Sequence, residues 1–260
     1  ITLRLRRAAV TVGKVFHLHN RADDSCSRWG HGGDLRDGGV GHAIPGRAGA
    51  MISTDSLITE IKEVLDGTPP SRGEAMLHDM TELFLKNAER YSKEQLTVFD
   101  DVFHTIIEHV DRDALSELSR RLAACPTPPP ALLRKLAAHP DLKISGVLLK
   151  EAVGLGDDEI AVIAAAASHI HLLAIASRDS IGELVTDALI NRSDAEVMRK
   201  FVPNQRARVS HIGFVKLINA AKRDGSLTEI VASRTDLPDE LKPFIGMLRQ
   251  AGAPGAAAAG

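Results

Sequence analysis

The sequence predicts an all-α chain: an N-terminal helical bundle followed by a HEAT-like α-solenoid of short helix pairs. Three observations carry that expectation. No segment alternates apolar and polar residues for long enough to make a strand, whereas apolar residues recur at three/four spacing from residue 57 onward. One layout of polar loop and apolar helix repeats through the second half. The core must also be aliphatic, since 44% of the 260 residues are hydrophobic and only 3% aromatic; that suits close-packed helices better than a sandwich or barrel.

Residues 1–50 have a different texture. They hold nine of the 21 glycines, the single Trp29, eight Lys/Arg and four Asp/Glu. No helical or strand periodicity runs through them. A phosphate loop is excluded: there is no GxxxxGK[ST], and Gly39-Val40-Gly41 lacks the third glycine of a dinucleotide fingerprint. "ITLRLRRAAVTVGKVFHLHN" is basic like a targeting peptide, but Lys14 and His17 interrupt its apolar stretch and no small-x-small cleavage site follows. The expectation is a disordered or mis-translated upstream segment, with Met51 as the true start. The whole chain carries 32 Lys/Arg and 34 Asp/Glu. Setting residues 1–50 aside leaves an acidic remainder of −6, which disfavours nucleic acid. No apolar run reaches the roughly 18–20 residues of a membrane span, so no membrane partner is expected. Cys26 and Cys125 stand far apart without paired histidines, which fits a reducing cytoplasm rather than a disulfide framework.

N-terminal helices are expected over residues 51–111. "STDSLITEIKEVLDG" opens on capping residues, places Leu57, Ile58, Ile61, Val64 and Leu65 on one stripe, and ends on Gly67 as a C-terminal cap. "TPPSRG" reads as a break, and "EAMLHDMTELFLKNAERY" as a second amphipathic helix. Ser92 and Gln95 form a capping box before a third helix with Leu96, Phe99, Phe103, Ile106, Ile107 and Val110 on its core face. That stripe is equally a candidate homodimer surface. Asp100-Asp101 is expected on the solvent side.

From residue 112 to residue 251 the layout repeats. Leu133, Ile160, Leu184, Phe214 and Leu241 correspond, at spacings near 27 residues. Ala176-Ser177-Arg178 with Ile181 echoes Ala232-Ser233-Arg234 with Leu237. A unit of two short helices cannot bury its apolar face alone, so neighbours must stack. Residues 252–260 read as a flexible tail.

The stretches "MTELFLKNAERYSKEQLTVFDDVFHTIIEHVD", "LSRRLAACPTPPPALLRKLA" and "HLLAIASRDSIGELVTDALINRSDAEVMRKFVPNQRARVS" resemble the bacterial family of domain of unknown function 2336 (DUF2336), from about residue 72 to about 245. "LAIA-x-R" and "VTDALI" are the most specific parts. The resemblance implies an all-helical, HEAT-like or leucine-rich-variant-like solenoid. It carries no catalytic residues over.

Chemistry-bearing patterns are sparse. His104 and His109 are five apart, which turns them about 140° from each other on a helix. His169-Ile170-His171 could chelate only with Ile170 extended; otherwise each is a cap or surface histidine. Asp157-Asp158-Glu159 follows Gly156, where acids favour a helix N-terminus. Cys125 has no adjacent base and reads as buried filler. Asn191 and Asn204 read as helix caps. No catalytic, cofactor-binding or metal-ligating residue is assigned, and no cofactor. The candidate partner-binding residues are Arg178 and Arg234, at equivalent repeat positions, with Arg121 in the basic stretch "RRLAACPTPPPALLRK". As a ladder they could read carboxylates; alternatively each bonds helix C-terminal carbonyls between repeats, which the repetition favours. The expected function is a non-enzymatic cytoplasmic scaffold that binds a protein partner on a concave face. The alternatives are an enzyme with a concave-face His/carboxylate pocket, and a nucleic-acid backbone binder.

Overall fold

The computed structural model describes residues 54–66 and 69–252. The expectations for residues 1–50, Met51, Gly67 and residues 253–260 lie outside the described residues. Those described are helical apart from loops and one isolated parallel bridge between Ile181 and Ala207. They divide into two compact units between Val110 and Asp111.

The first unit holds α1 (Thr54–Leu65), α2 (Pro70–Leu85) and α3 (Lys93–Ile107), with a 3-10 turn at Ala88–Arg90. Both α1 and α2 pack on α3. The capping box forms: the Gln95 N–H donates to Ser92 Oγ at 3.3 Å, and the Ser92 N–H to Gln95 Oε1 at 2.9 Å. The second helix begins four residues earlier than its apolar pattern suggests. Pro69 and Pro70 start it rather than break the chain, because a proline in the first turn has the right φ and gives up only an N–H that would be unpaired. It also ends early, at Leu85.

Phe99 and Phe103 are fully buried within this unit. Phe84 meets Phe99 edge-on at 4.9 Å between centroids, and Tyr91 lies 4.8 Å from Phe99 on its other side. The stripe considered as a dimer surface is therefore core. Asp100 corrects a second expectation: it is buried beside that core, and only Asp101 is exposed. Adjacent residues on a helix differ by about 100°, so the edge of the apolar stripe falls between them.

Among the described residues the second unit holds ten α-helices: α4 (Arg112–Ala123), α5 (Pro130–Ala137), α6 (Leu142–Glu151), α7 (Asp157–Ala166), α8 (His169–Ala176), α9 (Glu183–Asn191), α10 (Ala195–Phe201), α11 (His211–Ala221), α12 (Gly225–Ala232) and α13 (Lys242–Gly252). They stack as two rows. In the first, α4, α6, α8, α10 and α12 each pack on the next; in the second, α7, α9, α11 and α13 do the same, with α5 resting on α4 and α6. This packing is that of a helical solenoid. Of the repeat positions read from the sequence, Ile160, Leu184 and Phe214 fall on the second row and Leu133 on α5. Leu133, Ile160 and Phe214 are buried, but Leu184 is 60% exposed and its neighbour Val185 takes the core position. Glu183 opens α9 directly after Gly182, which shifts the helix face by one residue. Leu241 sits in a 3-10 turn (Asp239–Leu241) and is half-buried.

The rows leave little slack where loops cross. A Cβ on Gly154 would fall 2.5 Å from Cγ and Cδ of Pro128, a stiff ring that cannot rotate away. A Cβ on Gly225, the first residue of α12, would meet nothing within 4 Å. Gly154→Ala should therefore lower unfolding free energy by about 1–3 kcal/mol through overpacking. Gly225→Ala should leave it unchanged or raise it by at most about 1 kcal/mol. Urea denaturation of the two variants checks the contrast.

Candidate functional site

Helices of eight to ten residues have few internal hydrogen bonds, because four N–H and four C=O groups at the ends lack partners. The polar side chains of the second unit answer this repeat by repeat. At the C-terminal ends of the first row they form a ladder. The Val153 N–H donates to Ala123 O at the end of α4 (3.3 Å). After α8, Arg178 donates through Nη1 to Leu149 O (2.9 Å) and Nη2 to Ala152 O (3.0 Å) at the end of α6. After α10, Asn204 Nδ2 donates to Arg178 O and Asp179 O, both at 3.0 Å. After α12, Arg234 donates through Nη1 to Val202 O (2.8 Å) and Asn204 O (2.9 Å), and through Nη2 to Ala207 O (2.6 Å).

Arg234 uses every donor it has. Nε and Nη2 also grip the Asp236 carboxylate at 2.8 and 2.7 Å, and the guanidinium lies 5.7 Å above the Phe214 ring. Its side chain is 0% exposed. Arg178 is half-buried; burial pulls its pKa down, and the Asp157 charge opposes that. Both arginines thus bond helix C-terminal carbonyls between repeats, and Arg234 has no surface to offer a partner. Arg121 lies apart from them, half-buried in the last turn of α4. Asn204 caps the previous repeat rather than its own helix. Asn191 is no cap: it is the last residue of α9, its Oδ1 accepts from Lys216 Nζ at 2.6 Å, and Ser193 takes the left-handed position (φ 55°) beyond it.

The N-terminal ends of the same row form a second ladder. Asp111, Asp141, Asp194 and Asp224 cap α4, α6, α10 and α12. Three of them also hold a cation from the helix two places earlier. Arg112 pairs with Asp141, and Arg199 with Asp224. His169 Nδ1 pairs with Asp194 at 2.6 Å, with Glu196 at 3.3 Å from Nε2. The His169–Asp194 step alone among these uses a titratable cation. The hydrogen bond to Asp194 raises the His169 pKa. For Asp194, burial pushes upward, but the His169 hydrogen bond and the Val197 and Glu196 N–H groups outweigh it and lower its pKa.

His171 points elsewhere. It is buried, with Nδ1 2.6 Å from Ser168 Oγ and Nε2 3.2 Å from His139 O. The HxH pair lies in the first turn of α8, so helical rotation parts the two rings. Asp157 and Asp158 open α7, and Glu159 accepts the Gly156 N–H at 3.2 Å. Cys125 is buried. Among the described residues no group of three His, Cys, Asp or Glu comes together that could hold a metal, and no helix is long and apolar enough to cross a membrane. An open groove of about 600 Å³ runs past the ends of α6 and α8, lined by Lys150, Glu151, Val153, Arg178 and Asp179 among others. Its arginine is already committed to carbonyls.

Nine large apolar side chains are exposed among the described residues. Leu142, Val153 and Ile170 lie on or beside first-row helices; Val162 on α7, Leu184 on α9, Ile212 and Val215 on α11, and Phe244 and Met247 on α13 lie on second-row helices. Nothing in the composition or repeat spacing marks these residues; only knowing which helix face is covered does.

With this geometry in place, comparison with known proteins is informative at one point. Residues 144–242 match DUF2336, a family described as an uncharacterised protein conserved in bacteria. The DUF2336 match runs from α6 to the start of α13 and takes in the Arg178, Asn204 and Arg234 rungs. It is shorter than the resemblance over residues 72–245 suggested. No curated protein and no solved structure matches the chain.

Removing Arg234 strands three carbonyls and the Asp236 carboxylate. Arg234→Met should cost about 3–5 kcal/mol, and Arg234→Lys should fail to rescue it, because an ammonium cannot span the five acceptors. Arg178→Met should cost about 1–3 kcal/mol. Urea midpoints at unchanged m-value measure all three. The His169–Asp194 clamp predicts a pH window. A raised histidine pKa gives stability that is complete below about pH 6.5 and lost as pH rises through the folded value. A lowered aspartate pKa gives stability present above about pH 3.9 and lost as pH falls through its folded value. The difference in urea midpoint between wild type and His169→Gln should be largest between those limits. Histidine Cε1–H NMR titration should place His169 above the ordinary histidine value of about 6.5.

Proposed function

We propose that this chain is a non-enzymatic, cytoplasmic helical-repeat scaffold whose second unit binds a protein partner. The observation that carries the reading is the apolar face of the second row, where α7, α9, α11 and α13 each present at least one large exposed apolar side chain. Scattered apolar residues are ordinary on a surface, but exposed apolar side chains on each of four successively stacked helices fit an interaction site. The polar side chains support the same reading by what they are occupied with. Arg178, Arg192 and Arg234 bond backbone carbonyls, and Arg112, Arg134, Arg199 and Arg206 pair with carboxylates. Those arginines are not free to follow a phosphate backbone, and His139, His169 and His171 make local hydrogen bonds. Partner binding is assigned here to the apolar face rather than to Arg178, Arg234 and Arg121.

The test is affinity purification of the tagged chain from its native cell beside Ile212→Asp and Phe244→Asp variants. Both residues are exposed, so circular-dichroism melts should match wild type. The reading expects a reproducible partner that both variants lose. Retention by both would remove the apolar face as the binding surface.

A further inference from the structure

Arg178 and Arg234 hold the same place in two repeats, and their surroundings differ by one carboxylate. Both follow Ala-Ser at the end of an eight-residue first-row helix, α8 or α12. Their backbone N–H groups donate three residues back, to Ile175 O at 3.1 Å and to Val231 O at 3.2 Å. Three residues further on, Ile181 and Leu237 are both buried. A guanidinium has five N–H donors. Arg234 spends three on carbonyls and two, from Nε and Nη2, on the Asp236 carboxylate. Arg178 spends two on carbonyls, through Nη1 and Nη2, and Nε makes no hydrogen bond among the described residues. The residue that corresponds to Asp236 is Ser180, which carries no charge.

Arg178 and Ser180 both line the groove of about 600 Å³ past the ends of α6 and α8. The acids around it have cations of their own: Glu151 pairs with Lys150 at 2.8 Å, and Asp179 with Arg206. Asp157 acts on the Arg178 charge, but its carboxylate lies against Gly182 and makes no hydrogen bond to the guanidinium. Arg178 is therefore a half-buried cation without a carboxylate in contact, where Arg234 has one gripped at two atoms. Burial pulls the Arg178 pKa down, and an anion on its open edge offsets that cost. Val153 is 71% exposed and lines the same groove, which sets an apolar side chain beside the cation.

We infer that this groove binds a carboxylate carrying a short apolar group, in the place that Asp236 fills in the Arg234 repeat. Arg178 is the guanidinium that receives it, and Val153 meets the apolar group. A guanidinium is a rigid fork that matches a carboxylate two bonds to two. The Leu149 and Ala152 carbonyls hold that fork in orientation, as the Val202, Asn204 and Ala207 carbonyls hold Arg234 for Asp236. The site lies at the C-terminal ends of first-row helices and is independent of the protein-binding reading of the second row.

Butyrate is the probe, with butyramide as its uncharged control at constant ionic strength. Titrated into the isotope-labelled full chain, butyrate should shift the Arg178 Nε–H resonance and the amides of residues 177–180. The shifts should saturate in the range of roughly 1–10 mM, the affinity of a single bidentate ion pair. Butyramide should leave them unchanged. Ser180→Asp supplies the missing carboxylate from the chain itself, as Asp236 does. It should raise the urea midpoint and weaken butyrate binding by at least about tenfold, whereas Ser180→Ala should bind butyrate like wild type. The absence of saturable shifts, an equal response to butyramide, or butyrate binding unchanged in Ser180→Asp overturns the inference. N-acetyl-glycyl-valine, as free acid and as amide, then separates the two sources of such a carboxylate. Tighter binding of this acid than of butyrate assigns the site to a polypeptide terminus, and binding no tighter assigns it to a small free acid. Equal binding of the amide overturns carboxylate recognition.

Discussion

The second unit depends on pairing the backbone at the ends of very short helices. An eight-residue helix such as α8 or α12 leaves about as many end groups unpaired as it pairs internally, and isolated helices of that length do not persist in water. Stacking supplies apolar cover, but cover alone would bury bare carbonyls, at roughly 1–3 kcal/mol each. Arg178, Asn204 and Arg234 remove that cost along the C-terminal edge. The Asp141, Asp194 and Asp224 caps do so along the N-terminal edge. Each rung joins a helix to the one two places earlier, so the same bond that completes a helix end also fixes the repeat spacing.

This explains why Arg178 and Arg234 are engaged within the fold. An arginine at a recurring loop position can read a carboxylate on a partner or a carbonyl at home. Burial decides between them. Arg234, with five donors paired and no exposed surface, is as much a part of the core as Phe214 beneath it. The histidines divide in the same way: His171 closes a joint on His139 O, while His169 is a clamp whose strength varies with pH. With these polar groups occupied, the proposed reading turns to the exposed apolar side chains of the second row.

Much of this was legible in one sequence, for identifiable reasons. The Ser92–Gln95 box and the Asp157–Asp158 helix start involve groups within a few residues, so local pattern was enough. The period near 27 residues located α7, α9 and α11 of the second row, because each helix there turns an apolar side to the first. Errors arose where local pattern was silent about neighbours. Pro69-Pro70 reads equally as a break or as a first turn, and only the helix continuing from Pro70 selects the second. Asp100 reads as solvent-facing until Phe84 and Tyr91 close over the adjacent Phe99. Leu184 and Val185 are equivalent as letters, and one residue of helix phase decides which is core.

The sequence by itself determined that the chain is helical, where most helices begin, and that its second half stacks in repeats, since periodicity, capping and the aliphatic composition act over single turns. Only the tertiary structure decided which arginines are spent on carbonyls, that the Phe99/Phe103 stripe is interior, and that Val162, Leu184, Ile212 and Phe244 are exposed. Those properties depend on which surfaces meet, and a side chain's partners 25–30 residues away leave no mark on its own stretch of sequence.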